Sequence, residues 1–188
     1  MKTSQKMQAV ITKLAEKHGL DLAAPQAYLR LDMAGFMRLV IMKIGKNQVR
    51  IGHYFEQQGG LIPDPEIVFF TGYAEWVPTK VTQLIGGTRF YGVPTPDGES
   101  IVIADEHRQA DLAEFAEMWA KNIEAQGWLE RGIKWDPCDA TQRQTPDLGT
   151  LMAWEAEGGC EAVDGCWVEP DGVCPHGCRS WLLELGLI

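Results

Sequence analysis

The chain has 188 residues, a formal net charge of −9, 45% apolar residues and 23% charged residues, a balance that excludes extensive disorder. No apolar run reaches the roughly 18–20 residues of a membrane-spanning helix, and no apolar segment follows the basic start, so we expect a cytoplasmic protein without a membrane span or secretory signal. The negative charge disfavours general nucleic-acid binding, because neutralised phosphates supply most non-specific affinity.

The first predicted element is an amphipathic helix over residues 4–18, with Ser4 or Thr3 as its cap and Gly19 at its end. Its apolar residues recur at helical spacing: Met7, Val10, Ile11 and Leu14. A second helix is predicted over residues 106–125 with Asp105 as its N-cap. Its apolar stripe comprises Leu112, Phe115, Ala116, Trp119 and Ile123. Both stripes predict helices that pack on one core.

Between the two helices the chain is typical of short strands, rich in Val, Ile, Phe, Tyr and Thr. The predicted strands lie near 28–33, 37–44, 48–56, 65–71, 75–84, 88–92 and 100–103. Turn signals at 45–47 and 96–98, without intervening helices, favour antiparallel pairing. The predicted fold class is therefore α+β: an antiparallel β-meander packed by N-terminal and central helices, with a small cysteine-rich knuckle at the C-terminus.

Composition divides the chain into three predicted parts. Residues 1–135 form the α+β body, and residues 136–158 are polar and turn-rich, which is typical of a linker or surface strap. Residues 159–188 combine Gly, Cys, Asp and Pro and end on an apolar run, so we expect this tail to dock on the body.

The tail contains four of the five cysteines, spaced Cys160-x5-Cys166-x7-Cys174-x3-Cys178. Clustered cysteines in a reducing compartment favour a metal site over disulfides, although two disulfides or free thiols remain as alternatives. The predicted zinc ligands are Cys160, Cys166, Cys174 and Cys178, and His176 is an alternative fourth ligand. Four protein ligands leave no position for water, so the predicted zinc is structural.

The fifth cysteine, Cys138, lies about twenty residues upstream of the others and is predicted to be an isolated thiol.

Two strings carry a resemblance to a known group of proteins. They are the tail from Cys160 to Ile188, which includes Asp164-Gly165-Cys166 and Cys174-Pro175-His176-Gly177-Cys178, and the stretch His53-Tyr54-Phe55-Glu56-Gln57-Gln58-Gly59-Gly60 with Asp64-Pro65-Glu66. Both resemble signatures of uncharacterised bacterial proteins carried on plasmids and integrative elements, which contain a domain of unknown function. The resemblance implies a mobile-element setting and no particular reaction.

One cluster of acid and base side chains in the body is a candidate for catalysis. It comprises His53, Glu56, Asp64 and Glu66, which would gather near the loop end of a hairpin. Two carboxylates and an imidazole suit general acid–base work or a divalent metal. However, His53 and Glu56 are an odd number of positions apart, so a regular strand points them to opposite faces.

Three hypotheses about function follow. The residues favour a non-enzymatic, zinc-stabilised interaction protein of a mobile element that binds a protein partner. The second hypothesis is an acidic mimic of nucleic acid that inhibits a host defence or DNA-handling protein, which requires the acidic residues to cluster. The third is a metal-dependent enzyme that uses the His53, Glu56, Asp64 and Glu66 region.

Overall fold

The computed structural model of the protein describes residues 1–188 and divides them into two compact units, Met1–Lys134 and Trp135–Ile188. We call them the body and the C-terminal unit. None of the helices is both long and apolar enough to cross a membrane. The α+β class predicted from the sequence is confirmed, since helices pack on an antiparallel sheet of seven strands.

The body begins with helix α1 and continues through eight strands, two helices and a last short strand. Their bounds are α1 Gln5–Lys17, β1 Tyr28–Asp32, β2 Arg38–Gly45, β3 Gln48–Gln57, β4 Gly60–Phe70, β5 Val77–Gln83, β6 Gly87–Phe90, β7 Gly92–Pro94, β8 Ile101–Ile103, α2 Glu106–Ala125, α3 Trp128–Arg131 and β9 Ile133–Lys134. The main sheet has the order β6-β5-β4-β3-β2-β1-β9, and β7 and β8 form a separate two-stranded ribbon. Neighbouring strands from β1 to β6 are consecutive in sequence, as a meander requires.

The core of the body lies between one face of this sheet and the helices. Alternate strand residues such as Leu39, Ile41 and Ile51 point to this face and pack with the apolar stripes of α1 and α2. Burying one such aliphatic side chain contributes roughly 1.5–3 kcal/mol. The apolar residues that recur at helical spacing in α1 and α2 therefore form part of the core, as predicted.

The start of α1 is capped by a residue from α2. Ser4 occupies the N-cap position, but its hydroxyl donates to Glu117 Oε1 at 2.9 Å instead of accepting from its own helix. The same carboxylate oxygen accepts the Lys6 backbone N–H at 2.8 Å. The negative charge of a carboxylate at a helix N-terminus also interacts favourably with the helix dipole. Through these contacts Glu117 of α2 stabilises the start of α1.

Strand β4 begins earlier than predicted. The β3–β4 hairpin turns at Gln58 and Gly59, which have φ angles of 52° and 78°. Asp64 therefore lies inside β4, and its Oδ1 accepts the Leu84 N–H at 3.3 Å. The predicted start of this strand near residue 65 was wrong, because the chain already turns at Gln58 and Gly59 and the residues that follow pair with β3.

The C-terminal unit consists of short elements. These are a 3-10 helix at Ala140–Gln142, α4 Leu148–Glu157, β10 Cys160–Glu161, β11 Trp167–Val168 and α5 Trp181–Glu184. Strands β10 and β11 pair antiparallel in a hairpin. Its buried core is small and contains Leu151, Cys160, Ala162, Val163, Cys174, Cys178, Trp181 and Leu182.

The stretch 136–158, predicted as a linker or strap, holds the 3-10 helix and α4 within this unit. Its polar residues are helix caps: Asp139 Oδ1 accepts the Thr141 N–H, and Asp147 Oδ1 accepts the Thr150 N–H. Capping by Asp stabilises a helix start by about 1 kcal/mol. The same composition that is typical of linkers thus encodes two short helices.

Candidate metal centre

Four side chains of the C-terminal unit bring a metal-ligating atom to one point. They are Asp164, Cys166, Cys174 and His176, and their donor atoms all lie within 4.8 Å of one another. We call them the donor cluster. Two tight turns supply two donors each, at the spacings Asp164-x-Cys166 and Cys174-x-His176.

The first turn connects β10 to β11. The Ala162 N–H donates to the Cys166 carbonyl at 2.7 Å, and Gly165 in the turn has a φ of +91°. The Cys166 backbone N–H donates to Asp164 Oδ1 at 3.1 Å. This hydrogen bond orients the carboxylate so that its other oxygen, Oδ2, points into the cluster. Metal-binding carboxylates are commonly held in place by such a second hydrogen bond.

The second turn has the same construction. The Cys174 N–H donates to the Cys178 carbonyl at 2.9 Å, and Gly177 has a φ of +87°. Glycine adopts this left-handed conformation without the steric cost that a side chain brings. The turn therefore places Cys174 Sγ and His176 Nδ1 opposite the two donors of the first turn.

Four of the six distances between the donor atoms fit a tetrahedral zinc site. With zinc–ligand bonds of about 2.3 Å to sulfur and about 2.0–2.2 Å to nitrogen or oxygen, the edges of the tetrahedron are about 3.3–3.8 Å. His176 Nδ1 lies 3.3 Å from Cys166 Sγ and 3.8 Å from Cys174 Sγ. Asp164 Oδ2 lies 3.4 Å from Cys166 Sγ and 3.3 Å from Cys174 Sγ.

The fifth distance, 2.7 Å between His176 Nδ1 and Asp164 Oδ2, is that of a hydrogen bond and has to lengthen by roughly half an ångström around an ion.

The electrostatics of the cluster centre on Asp164. Burial alone raises the pKa of this carboxyl, but hydrogen bonds from the Cys166 N–H, from His176 and from the two thiols outweigh it and lower the pKa to about 2. The hydrogen bond to Asp164, then burial, raises the pKa of the Cys166 thiol to about 11. His176 and the two thiols thus donate to one anionic oxygen, Asp164 Oδ2. A metal ion at the same place would replace these hydrogen bonds, and its binding would release the thiol protons.

The cluster contains three of the residues named from the sequence and differs from the predicted ligand set at two positions. Cys166, Cys174 and His176 come together. Cys160 is a fully buried free thiol outside the donor cluster, and its Sγ donates to the Glu161 carbonyl. Cys178 forms a disulfide with Cys138.

The prediction that Cys138 is an isolated thiol was wrong. Forty positions separate it from Cys178 along the chain, yet their Cα atoms are 4.8 Å apart. The chain returns because the 3-10 helix and α4 fold back into the same unit, which spacing alone does not reveal.

Sequence reasoning did not include Asp164 among the ligands. A signal for it exists, because the two turns carry matching strings in which a donor and a cysteine flank a glycine: Asp164-Gly165-Cys166 and His176-Gly177-Cys178. The zinc expectation is supported at the level of a cluster of one Asp, two Cys and one His that can hold a metal ion.

The four acid and base candidates of the body do not form a shared site. His53 points to the helix side, 6% exposed, where its ring packs against Trp119 and Trp128 and its Nδ1 lies 3.2 Å from the Met37 carbonyl oxygen. Burial is the main cause that lowers its pKa. This is the environment of a neutral core imidazole.

The three carboxylates have separate partners. Glu56 is exposed and pairs with Arg38 at 2.8 Å. Glu66 is 6% exposed and accepts the Tyr54 hydroxyl at 2.5 Å. Asp64 accepts a backbone N–H, as described above. Each carboxylate is thus satisfied by a structural contact of the sheet.

Comparison with known proteins identifies the family of the body. A family model for a domain of unknown function, DUF6908, matches residues 6–129, which is more than half of the chain. The chain belongs to the DUF6908 family. In this DUF6908 protein the matched residues run from α1 into α3, so the donor cluster lies outside them. No curated protein and no solved structure matches the chain.

Proposed function

We propose that this DUF6908 protein is a non-enzymatic binding protein whose C-terminal unit folds around one structural zinc ion and binds a basic protein partner. The observation that carries the proposal is the donor cluster, in which four protein donors fill all four positions of a tetrahedral site. A filled coordination shell leaves no open position for substrate or water, which is typical of structural zinc.

The size of the C-terminal unit supports a structural role for the metal. It has 54 residues, and three of its eight buried core residues are cysteines. Units this small bury too little apolar surface to be very stable, and they commonly depend on disulfides or metals. A zinc ion that joins the two turns would stabilise this unit directly.

The distribution of charge supports a basic partner. The C-terminal unit contains ten of the 26 acidic residues but only two of the 17 basic residues, so its formal charge is −8, whereas the body has a formal charge of −1. The two basic side chains are already engaged: Arg143 lies over the Trp135 ring at 5.2 Å, and Arg179 lies 4.0 Å from Glu184. Most of the carboxylates of this unit therefore have no cation beside them.

Apolar side chains accompany these carboxylates at the surface. Trp167 is 55% exposed and Met152 is 61% exposed, and exposed acids such as Glu155 and Glu169 neighbour them in sequence. Tryptophan and methionine are enriched in protein interfaces, where they anchor binding, while surrounding charges select the partner.

A second candidate function is mimicry of nucleic acid. It requires clustered acidic residues, and the concentration of −8 in 54 residues favours it. In this form of the proposal the basic partner is a DNA-handling or defence protein of the host. The resemblance of the tail to proteins carried on plasmids and integrative elements supports the same setting.

The test uses the full chain as bait in a cell extract, followed by measurement of affinity for each purified captured protein. In the charge variant, Glu155, Glu157 and Glu169 are replaced by Gln. We expect it to bind at least tenfold more weakly, and we expect the affinity of the parent chain to fall as salt rises.

The matched control replaces three exposed acids of the body, Glu16, Glu106 and Glu130, by Gln and keeps the parent affinity. Equal affinity of the charge variant and the parent would contradict the proposal. Competition by double-stranded DNA for the captured partner separates the mimic from a binder of another basic surface.

A further inference from the structure

A groove of about 510 Å³ lies in the body between α2 and the edge of the main sheet. Its apolar lining comes from Val81 on β5, from Tyr91, and from Leu112 and Phe115 on α2. The volume falls within the range of about 300–1,000 Å³ that is usual for small-molecule sites. This groove is separate from the donor cluster, which belongs to the C-terminal unit.

One wall of the groove carries Arg89. This residue lies on β6, the edge strand, and pairs with Val81, so that both side chains point toward α2. Arg89 has no carboxylate beside it, whereas Arg38 lies 2.8 Å from Glu56 and Arg50 lies 3.6 Å from Glu66. A guanidinium without an anion is therefore present at the rim of an apolar groove.

The β5–β6 turn makes room for this guanidinium. A Cβ atom at Gly86 would lie 2.5 Å from Arg89 Nη2, so a side chain there would displace the flexible end of Arg89. Gly86 also has a φ of +112°. Glycine at this position thus permits both the turn and the placement of Arg89.

The opposite wall carries Arg108 from the first turn of α2. Its Nε lies 3.5 Å from Asp105 Oδ2, so only part of its fork of five N–H donors is occupied. Asp111, the carboxylate in the lining, lies 3.6 Å from His107 Nδ1. Several N–H donors of Arg89 and Arg108 therefore have no acceptor within the groove.

We propose that this groove binds a small organic anion. The carboxylate or phosphate of the ligand accepts hydrogen bonds from Arg89 and Arg108, and its apolar part packs on Leu112, Phe115 and Val81. Arginine suits this role because its planar fork binds carboxylate and phosphate oxygens in pairs. A bound anion also supplies the partner that Arg89 lacks in the chain.

The test is titration of the full chain with phenyl phosphate, benzoate and hexanoate, followed through the arginine Nε–Hε signals in NMR spectra. We expect at least one probe to bind saturably and to shift the signals of Arg89 and Arg108. Benzyl alcohol, which has the same aromatic ring without the charge, should bind at least tenfold more weakly. The absence of saturable binding by all three anions would overturn the proposal.

Variants separate the groove from non-specific charge effects. R89Q and R108Q should each weaken binding of the anion at least tenfold, because each removes a charged donor. K121Q removes a positive charge from the exposed side of the same helix and should leave affinity unchanged. If K121Q weakens binding as much as R89Q does, the anion binds elsewhere and the proposal fails.

Discussion

His176 Nδ1 lies 2.7 Å from Asp164 Oδ2, and this contact joins the two turns of the C-terminal unit at one point. The thiols of Cys166 and Cys174 donate to the same carboxylate oxygen. Without a cation, the arrangement is a buried carboxylate with three donors around it. With zinc, the same four atoms are its ligands, which requires the contact between His176 Nδ1 and Asp164 Oδ2 to lengthen by roughly half an ångström.

The first prediction concerns which cysteines hold the metal. Cys166→Ser and Cys174→Ser should each reduce zinc affinity by more than about a hundredfold, because loss of a ligand exceeds the 10–100-fold cost of losing an orienting partner. The measurement is competition with a chromogenic zinc chelator.

Cys160→Ala and Cys178→Ser are the controls for this prediction. Both residues belong to the ligand set predicted from spacing but lie outside the donor cluster. We expect both variants to keep zinc. Loss of zinc in these two variants and its retention in an Asp164→Asn variant would favour the spacing-based set instead.

A second prediction tests Asp164 itself. Asp164→Asn removes the charge of a ligand while it keeps the shape, and we expect zinc affinity to fall by more than about a hundredfold, as for the two cysteines. Asp171→Asn removes an exposed acid from the same unit and should have no such effect. Equal affinities of the two variants, measured with the same chelator, would mean that Asp164 is not a ligand.

A third prediction concerns the buried contact between Tyr54 and Glu66 in the body. Burial, then the hydrogen bond to Glu66, raises the pKa of Tyr54. Tyr54→Phe leaves a buried carboxylate oxygen without this donor and should lower the free energy of unfolding by about 1–3 kcal/mol. Urea unfolding measures the loss.

Tyr28→Phe provides the comparison, since Tyr28 is 47% exposed, and it should change stability by less than about 0.5 kcal/mol. Similar values for the two variants would show that Arg50 and Lys80, at 3.6 and 3.9 Å, compensate for the missing hydroxyl.

A fourth prediction follows from the lowered pKa of His53. The unfolded chain takes up a proton here near pH 6.5, the ordinary value, and the folded protein does so only at lower pH. The contribution of neutral His53 to the free energy of unfolding is therefore complete above pH 6.5. It declines as the pH falls toward the pKa of His53 in the folded protein, by up to about 1.4 kcal/mol per pH unit.

His53→Gln should reduce the loss of stability between pH 7 and pH 5, measured by urea unfolding at each pH. His107→Gln is the control, because the side chain of His107 is 90% exposed and should not alter the pH dependence. An unchanged slope in the His53 variant would show that its imidazole does not resist protonation.

Much of the body could be predicted from sequence because its signals are local. The apolar stripe of Met7, Val10, Ile11 and Leu14 indicates α1. In the strands, every second side chain faces the core, which gives an alternating apolar pattern. The failures come from contacts between distant residues. In the sequence Ser4 is a typical N-cap residue, whose hydroxyl would accept a hydrogen bond from its own helix. In the structure the hydroxyl instead donates to Glu117, more than a hundred positions away.

The donor cluster shows the same limit. Cysteine counting named Cys166 and Cys174, which lie in the donor cluster, and also Cys160 and Cys178, which lie outside it, because spacing does not show which side chains a turn points inward. Asp164 was missed because carboxylates are common at turns, and only the position of its Oδ2 beside two thiols identifies it as a donor.

The central claim is that zinc holds the C-terminal unit together. Its most direct test is metal analysis of the purified full chain, combined with thermal unfolding before and after treatment with a chelator. We predict about one equivalent of zinc per chain, and a lower unfolding temperature after its removal that is restored by added zinc. A metal-free protein whose unfolding temperature is the same with zinc and with chelator would contradict the account.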